Sequence, residues 1–123
     1  MTDATALAAA LGRALALFSV HATVTVAEDH VLVPNRTAEA ILSDIARVDG
    51  AGSAHRVRSL LHSRRGEDVQ LTVPDAAHLV LALEDGHRQK RRNEQIDRGQ
   101  IPGPMSSAEV MRLARRHPGL FRR

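Results

Sequence analysis

The densest run of side chains able to bind a ligand lies between residues 88 and 98. Arg88, Lys90, Arg91, Arg92 and Arg98 bring positive charge there, Gln89, Asn93 and Gln95 lie among them, and Glu94 and Asp97 supply the acids. A guanidinium donates two parallel hydrogen bonds and so fits a phosphate or a carboxylate. Wound into a helix, Arg88, Arg91, Arg92 and Gln95 share one side. Such a side can follow a phosphate backbone while the amide side chains reach base edges. The expected nucleic-acid contacts are therefore Arg88, Lys90, Arg91, Arg92, Gln95 and Arg98, with Glu94 counting against them. The chain has two Phe and no Trp or Tyr, so it lacks stacking platforms for single strands, and duplex DNA is the expected nucleic acid. The plainer reading of the same run is a solubilising helix end. Sixteen of the 17 basic residues are Arg, a bias that GC-rich codons also produce.

A second candidate surface spans 105–121. Ser106-Ser107-Ala108-Glu109 fits a capping box, with Met105 and Val110 in the positions of a hydrophobic staple. Val110, Leu113 and Ala114 form a narrow apolar stripe, Arg115 and Arg116 suit a helix C-terminus, and Leu120 and Phe121 leave an apolar tip. A short amphipathic helix behind a linker can fold into a groove on another protein. The partner-binding residues expected here are Met105, Val110, Leu113, Arg115, Arg116, Leu120 and Phe121. Packing back onto its own chain is the competing expectation.

Catalytic and metal chemistry find little support. None of the seven histidines pairs at i,i+4, the helical spacing of metal ligands. His55 with His62, His78 with Asp75, and His87 with Glu84 are the nearest approaches, and each reads more simply as a solvent-facing histidine. Asp44 and Glu84 read as the solvated edges of amphipathic helices. Ser43 and Ser59 lie outside any G-x-S-x-G context, and no glycine-rich phosphate motif occurs. The absence of cysteine excludes disulfides, thiolate metal sites and a cysteine nucleophile. No catalytic residue, metal or cofactor is expected.

The elements that must carry these surfaces follow from periodicity. Leu7, Leu11, Leu15 and Phe18 mark one face of an amphipathic helix over 4–18. Residues 22–33 read as a β-hairpin turning at 27–30, and Pro34 closes its second strand. Ala38, Ile41, Leu42, Ile45 and Val48 mark a second helix, with Asn35 or Thr37 as its cap. Residues 49–53 break it, and Ser53 caps a short third helix ended by Gly66. Glu67–Val73 alternates as a third strand. Pro74-Asp75 ends that strand, with Asp75 capping a fourth helix that starts at Ala76, Leu79, Val80 and Leu83. Beyond Leu83 no large apolar residue appears until Ile96, and Gly86 suggests a bend or an early end. A strand–Pro–cap–helix pattern recurs near 33–35 and 73–75, a weak internal echo.

The predicted architecture is α+β: a small three-stranded sheet, a hairpin plus one strand, covered by helices, with a basic helical C-terminal extension. The expected domains are a body over 1–97, a Pro/Gly linker over 98–105 and a short helix with a basic tail over 106–123. Apolar side chains make up 43% of the 123 residues, but mostly as small Ala and Val. Such a core is thin, and a homo-oligomer through the Ala/Leu helix is expected. Residues 1–85 carry 7 basic and 11 acidic groups, and residues 86–123 carry 10 and 3, so the anionic partner belongs at the C-terminal end. Asp3 and Arg13 break the pattern of a secretory signal, and the apolar run is too short to span a bilayer. A cytoplasmic protein without a membrane role is expected. This plan resembles antitoxin-type and other small bacterial or phage regulators in outline, without a shared motif. The function it suggests is a small non-enzymatic DNA-binding regulator. The alternative is a protein-interaction module, as an adaptor, inhibitor or phage structural subunit.

Overall fold

Asp3 starts the first helix, α1 (Ala4–Ala16), by accepting the Ala6 N–H at 2.7 Å, which satisfies one of the unpaired donors of the first turn. The structure is a computed structural model that describes residues 3–49 and 51–121, without the side chains of 49, 51 and 52. Leu7, Leu11 and Leu15 of α1 are buried, as is Phe18 beyond its end. The leucine face that the sequence offers for self-association is thus occupied by its own chain, where α1 packs on the first two strands.

These strands, β1 (Thr25–Ala27) and β2 (His30–Pro34), form the expected hairpin. Glu28 and Asp29 join them, both in the left-handed region at φ 50° and 64°. A two-residue turn of this hand matches the twist of paired strands. The His30 ring Nδ1–H donates to the Glu28 carbonyl at 3.0 Å. Val31 and Val33 point into the core, and Pro34 ends the strand opposite Asp68.

Helix α2 (Asn35–Asp49) buries Ala38, Ile41 and Ile45, and α3 (Ala51–Leu60) buries Ala54 and Val57. Of the expected break at 49–53, Gly50 lies outside the described residues. Ser53 lies inside α3 rather than at its cap. The chain then makes a second hairpin, β3 (Arg64–Arg65) with β4 (Asp68–Leu71), turning at Gly66 with φ 64°.

The sheet is therefore antiparallel with four strands in the order β1-β2-β4-β3, not three. The missing strand is two exposed residues long, too short to show the alternation that marks a strand. Gly66, expected to end the third helix, supplies the turn between β3 and β4.

Helix α4 (Val73–Asp97) begins three residues earlier than its pattern suggests. Thr72, not Asp75, is the cap: its Oγ1 accepts the Asp75 N–H at 3.2 Å. Pro74 falls in the first turn, where its missing donor costs nothing. Residue 86 lies within the unbroken span of α4. A Cβ at Gly86 would lie 2.8 Å from Ile45 Cδ1 and 3.3 Å from Phe18 Cζ. The glycine makes room for close packing.

By its contacts the chain divides into two units, residues 1–87 and 88–123, where the sequence draws its boundary at the linker after 97. Leu11, Leu15, Ile41, Ile45, Leu71, Leu79 and Leu83, each under 2% exposed, centre the first unit's core. Among the described residues no helix is long and apolar enough to cross a membrane.

Candidate nucleic-acid interface

The second unit contains the end of α4 from Arg88, a loop, helix α5 (Ser107–Arg116) and a 3-10 turn (Pro118–Phe121). Gly99, at φ 81°, terminates α4: its N–H donates to the Ile96 carbonyl and that of Gln100 to the Gln95 carbonyl, both at 2.9 Å. A left-handed glycine is the usual device for such an ending. The His117 ring lies 3.4 Å from where a Cβ on Gly99 would stand. Its Nε2–H donates to the Asp97 carbonyl at 2.9 Å. The capping box forms as its residues suggest, with Ser106 Oγ accepting the Glu109 N–H at 3.2 Å and Glu109 accepting the Ser106 N–H at 3.1 Å.

Two forked ion pairs of opposite sense join α4 to α5. Arg92, on α4, donates from Nε and an Nη to the two oxygens of Glu109 at 2.7 and 3.0 Å, and also to the Pro104 carbonyl at 2.7 Å. Arg112, on α5, grips Asp97 in the same way at 2.9 and 2.7 Å. Gln89 adds a donor to Glu109 at 3.2 Å, and Arg116 approaches Asp97 at 3.5 Å. Glu109 is buried, at 8% exposure, and Ile96 and Leu113 are the most buried apolar side chains of this unit. The Arg92 hydrogen bond, helped by Ser106 and Gln89, pulls the Glu109 carboxyl down to about 2 against the opposing effect of burial. Arg112 likewise holds Asp97 below its ordinary value, with smaller contributions from Arg116 and His117.

Of the residues expected at a nucleic acid, Arg92 is turned into this clamp. Arg88, Arg91 and Arg98 are exposed, and Gln95 is half-buried. These four fall within about a quarter of the helix circumference and span about 15 Å of axis. Arg91 has no ion pair among the described residues. Arg98, one residue beyond the end of α4, lies 4.0 Å from Glu94. Lys90 is half-buried and lies around the helix from that face.

The partner-binding set divides too. Leu113 is buried and Met105 half-buried, whereas Val110, Leu120 and Phe121 are 40 to 59% exposed. Arg115 and Arg116 are exposed, the latter beside Asp97. Met111, absent from the expected set, is 55% exposed.

No protein-family model, curated protein or solved structure matches this chain. The reading of the site therefore rests on its own geometry.

The residues that build the site but escaped the sequence reading are Glu109, Asp97 and Arg112. Glu109 was visible as a cap. Its tie to Arg92, 17 positions away on another helix, leaves no local pattern. Among the described residues no three His, Asp or Glu side chains converge as metal ligands would.

Proposed function

We propose that residues 88–121 lay an arginine face along the phosphates of duplex DNA, and that the protein is a small DNA-binding regulator of antitoxin-like, phage or mobile-element type. Arg88, Arg91 and Arg98 supply the phosphate contacts, and Gln95 lies on the same face with an amide for a base edge. A helix of about this width enters a major groove.

One observation carries this reading. All three carboxylates of residues 88–123 are already engaged within the unit: Glu109 by Arg92, Asp97 by Arg112 and Glu94 near Arg98. By sequence, residues 88–123 hold 10 basic side chains against these 3 acidic ones, so the segment carries a net positive charge. Such a surplus attracts a polyanion through release of its condensed counterions.

The test is duplex affinity as a function of salt. With three to four phosphates contacted, log K is expected to fall with log salt at a slope of about −3. Arg91→Ala is expected to flatten that slope by about 0.9 without altering the fold. A flat profile, or no binding in about 50 mM salt, overturns the reading.

A second reading draws on the apolar side chains exposed at Val110, Met111, Leu120 and Phe121. In it residues 105–121 hold a partner protein and nucleic acid has no part. Phe121→Asp would then abolish a capture that survives nuclease treatment.

A further inference from the structure

Strand β1 is an outer strand of the sheet, with β2 on one side only. Its register pairs Ala27 with His30 across the turn and Thr25 with Leu32. In an antiparallel ladder such pairs bond to each other, and the residues between them turn their N–H and C=O groups the other way. Val26 therefore faces away from β2, and the same parity carries Val24 and Ala22 with it. Continued, the register sets Thr23 against Pro34, which has no N–H to donate, and α2 begins at the next residue. Pairing stops there, but the strand-like course of the chain does not. Val20, Ala22 and Val24 still pack against the core while Thr23 and Thr25 are exposed, the period of an extended strand. Among the described residues no backbone hydrogen bond reaches Ala22, Thr23 or Val24.

Outer strands are commonly kept from pairing by charge or proline. Residues 22–27 contain neither. Val26, on the same face as its buried cross-strand partner Val31, is 41% exposed.

We infer that this edge pairs antiparallel with the same edge of a second copy of the chain, about a two-fold axis at Val24. The run Ala22-Thr23-Val24-Thr25-Val26 offers the same alternation read from either end. In this register Val24 meets Val24 of the second copy, Thr23 meets Thr25 and Ala22 meets Val26. Every outward N–H of Ala22, Val24 and Val26 then finds a carbonyl. Valine against valine and threonine against threonine are stabilising cross-strand pairs, and the exposed Val26 is covered. Charge fixes the direction. His21 and Asp29 flank the run, both exposed, and neither has a hydrogen bond or ion pair among the described residues. Antiparallel pairing brings His21 of each copy beside the Glu28-Asp29 turn of the other. Parallel pairing would stack that acidic turn on itself. The contact is isologous and joins the two sheets into one. The leucine stripe of α1, the other face offered for self-association, is buried in its own core. The inference stands whether or not residues 88–121 bind DNA.

Sedimentation equilibrium and amide hydrogen exchange of the full chain test it together. The unaltered protein is expected to be dimeric at about 100 μM. The amides of Ala22, Val24 and Val26 are expected to be protected in the dimer and to lose that protection on dilution to the monomer. Two doubly substituted chains, Thr23→Lys with Thr25→Lys and Thr23→Glu with Thr25→Glu, each set like charges across the threonine pairs. Each is expected to weaken the dimer about tenfold or more with an unchanged circular dichroism spectrum. An equimolar mixture of the two sets lysine against glutamate at both pairs and is expected to form a heterodimer of near-original affinity. A fault inside either chain cannot be repaired by mixing. The inference is overturned if the unaltered protein is monomeric at that concentration, or if the three amides exchange as freely in the dimer as in the monomer. It is equally overturned if either double substitution leaves the dimer intact, or if the mixture fails to recover association.

Discussion

Residues 3–87 cohere through one cluster of buried aliphatic side chains drawn from α1, α2 and α4 and from β2 and β4 of the four-stranded sheet. Residues 88–121 cohere through two forked ion pairs and a capping box, with Ile96 and Leu113 as their deepest apolar side chains. The first arrangement responds to cavities. The second depends on the ionised state of two carboxylates. Two short helices with little to bury can still be fixed to each other when each arginine meets both oxygens of its carboxylate, because that geometry strengthens and orients the contact.

The largest effect is expected in the aliphatic unit. Leu79→Ala removes a fully buried side chain and should cost about 2–5 kcal/mol. Hydrogen exchange should show lost protection through α1, β2 and β4. A loss confined to α5 would refute the division drawn here.

Acid should reverse the order of failure. The Glu109 carboxyl, held at about 2 against an ordinary 4.5, binds protons less readily folded than unfolded. Its contribution is complete above about pH 4.5 and is lost as pH falls towards about 2. Asp97 acts in the same direction. Protection of the α5 amides is therefore expected to fall in that window while the amides of β2 and β4 hold. Uniform loss across both units would remove the distinction.

The smallest effect sharpens the comparison. Ser106→Ala deletes one half of the capping box and should cost about 1 kcal/mol, read as weakened protection in the first turn of α5 alone.

Elements with a local period were legible in the sequence. The α1 leucines, the alternation at Val31 and Val33, and the Ser106 cap all stand where their spacing places them. Arg64-Arg65 has no period, so the sequence pattern shows one strand fewer than the sheet holds. The third strand was read too long because Val73 continues the alternation of Val69 and Leu71, although Thr72 has already capped the next helix. Gly86 suggests a bend or an early end because its backbone freedom is a local property, whereas its closeness to Ile45 is a tertiary one. Arg92 illustrates the limit best. By type and spacing it belongs with Arg88 and Arg91, and only the return of Glu109 beside it separates a clamp from an open surface.

The forked grip at 92 and 112 divides the arginines of this chain into two populations. A codon preference writes arginine at every basic position alike. Spanning both oxygens of Glu109 or Asp97 demands it, because lysine is a single point of charge on a flexible stem. Exchange to lysine should be costly at those two positions and nearly silent at an exposed one such as Arg115. A descendant of this sequence evolving under AT-rich codons would keep the first population and shed the second.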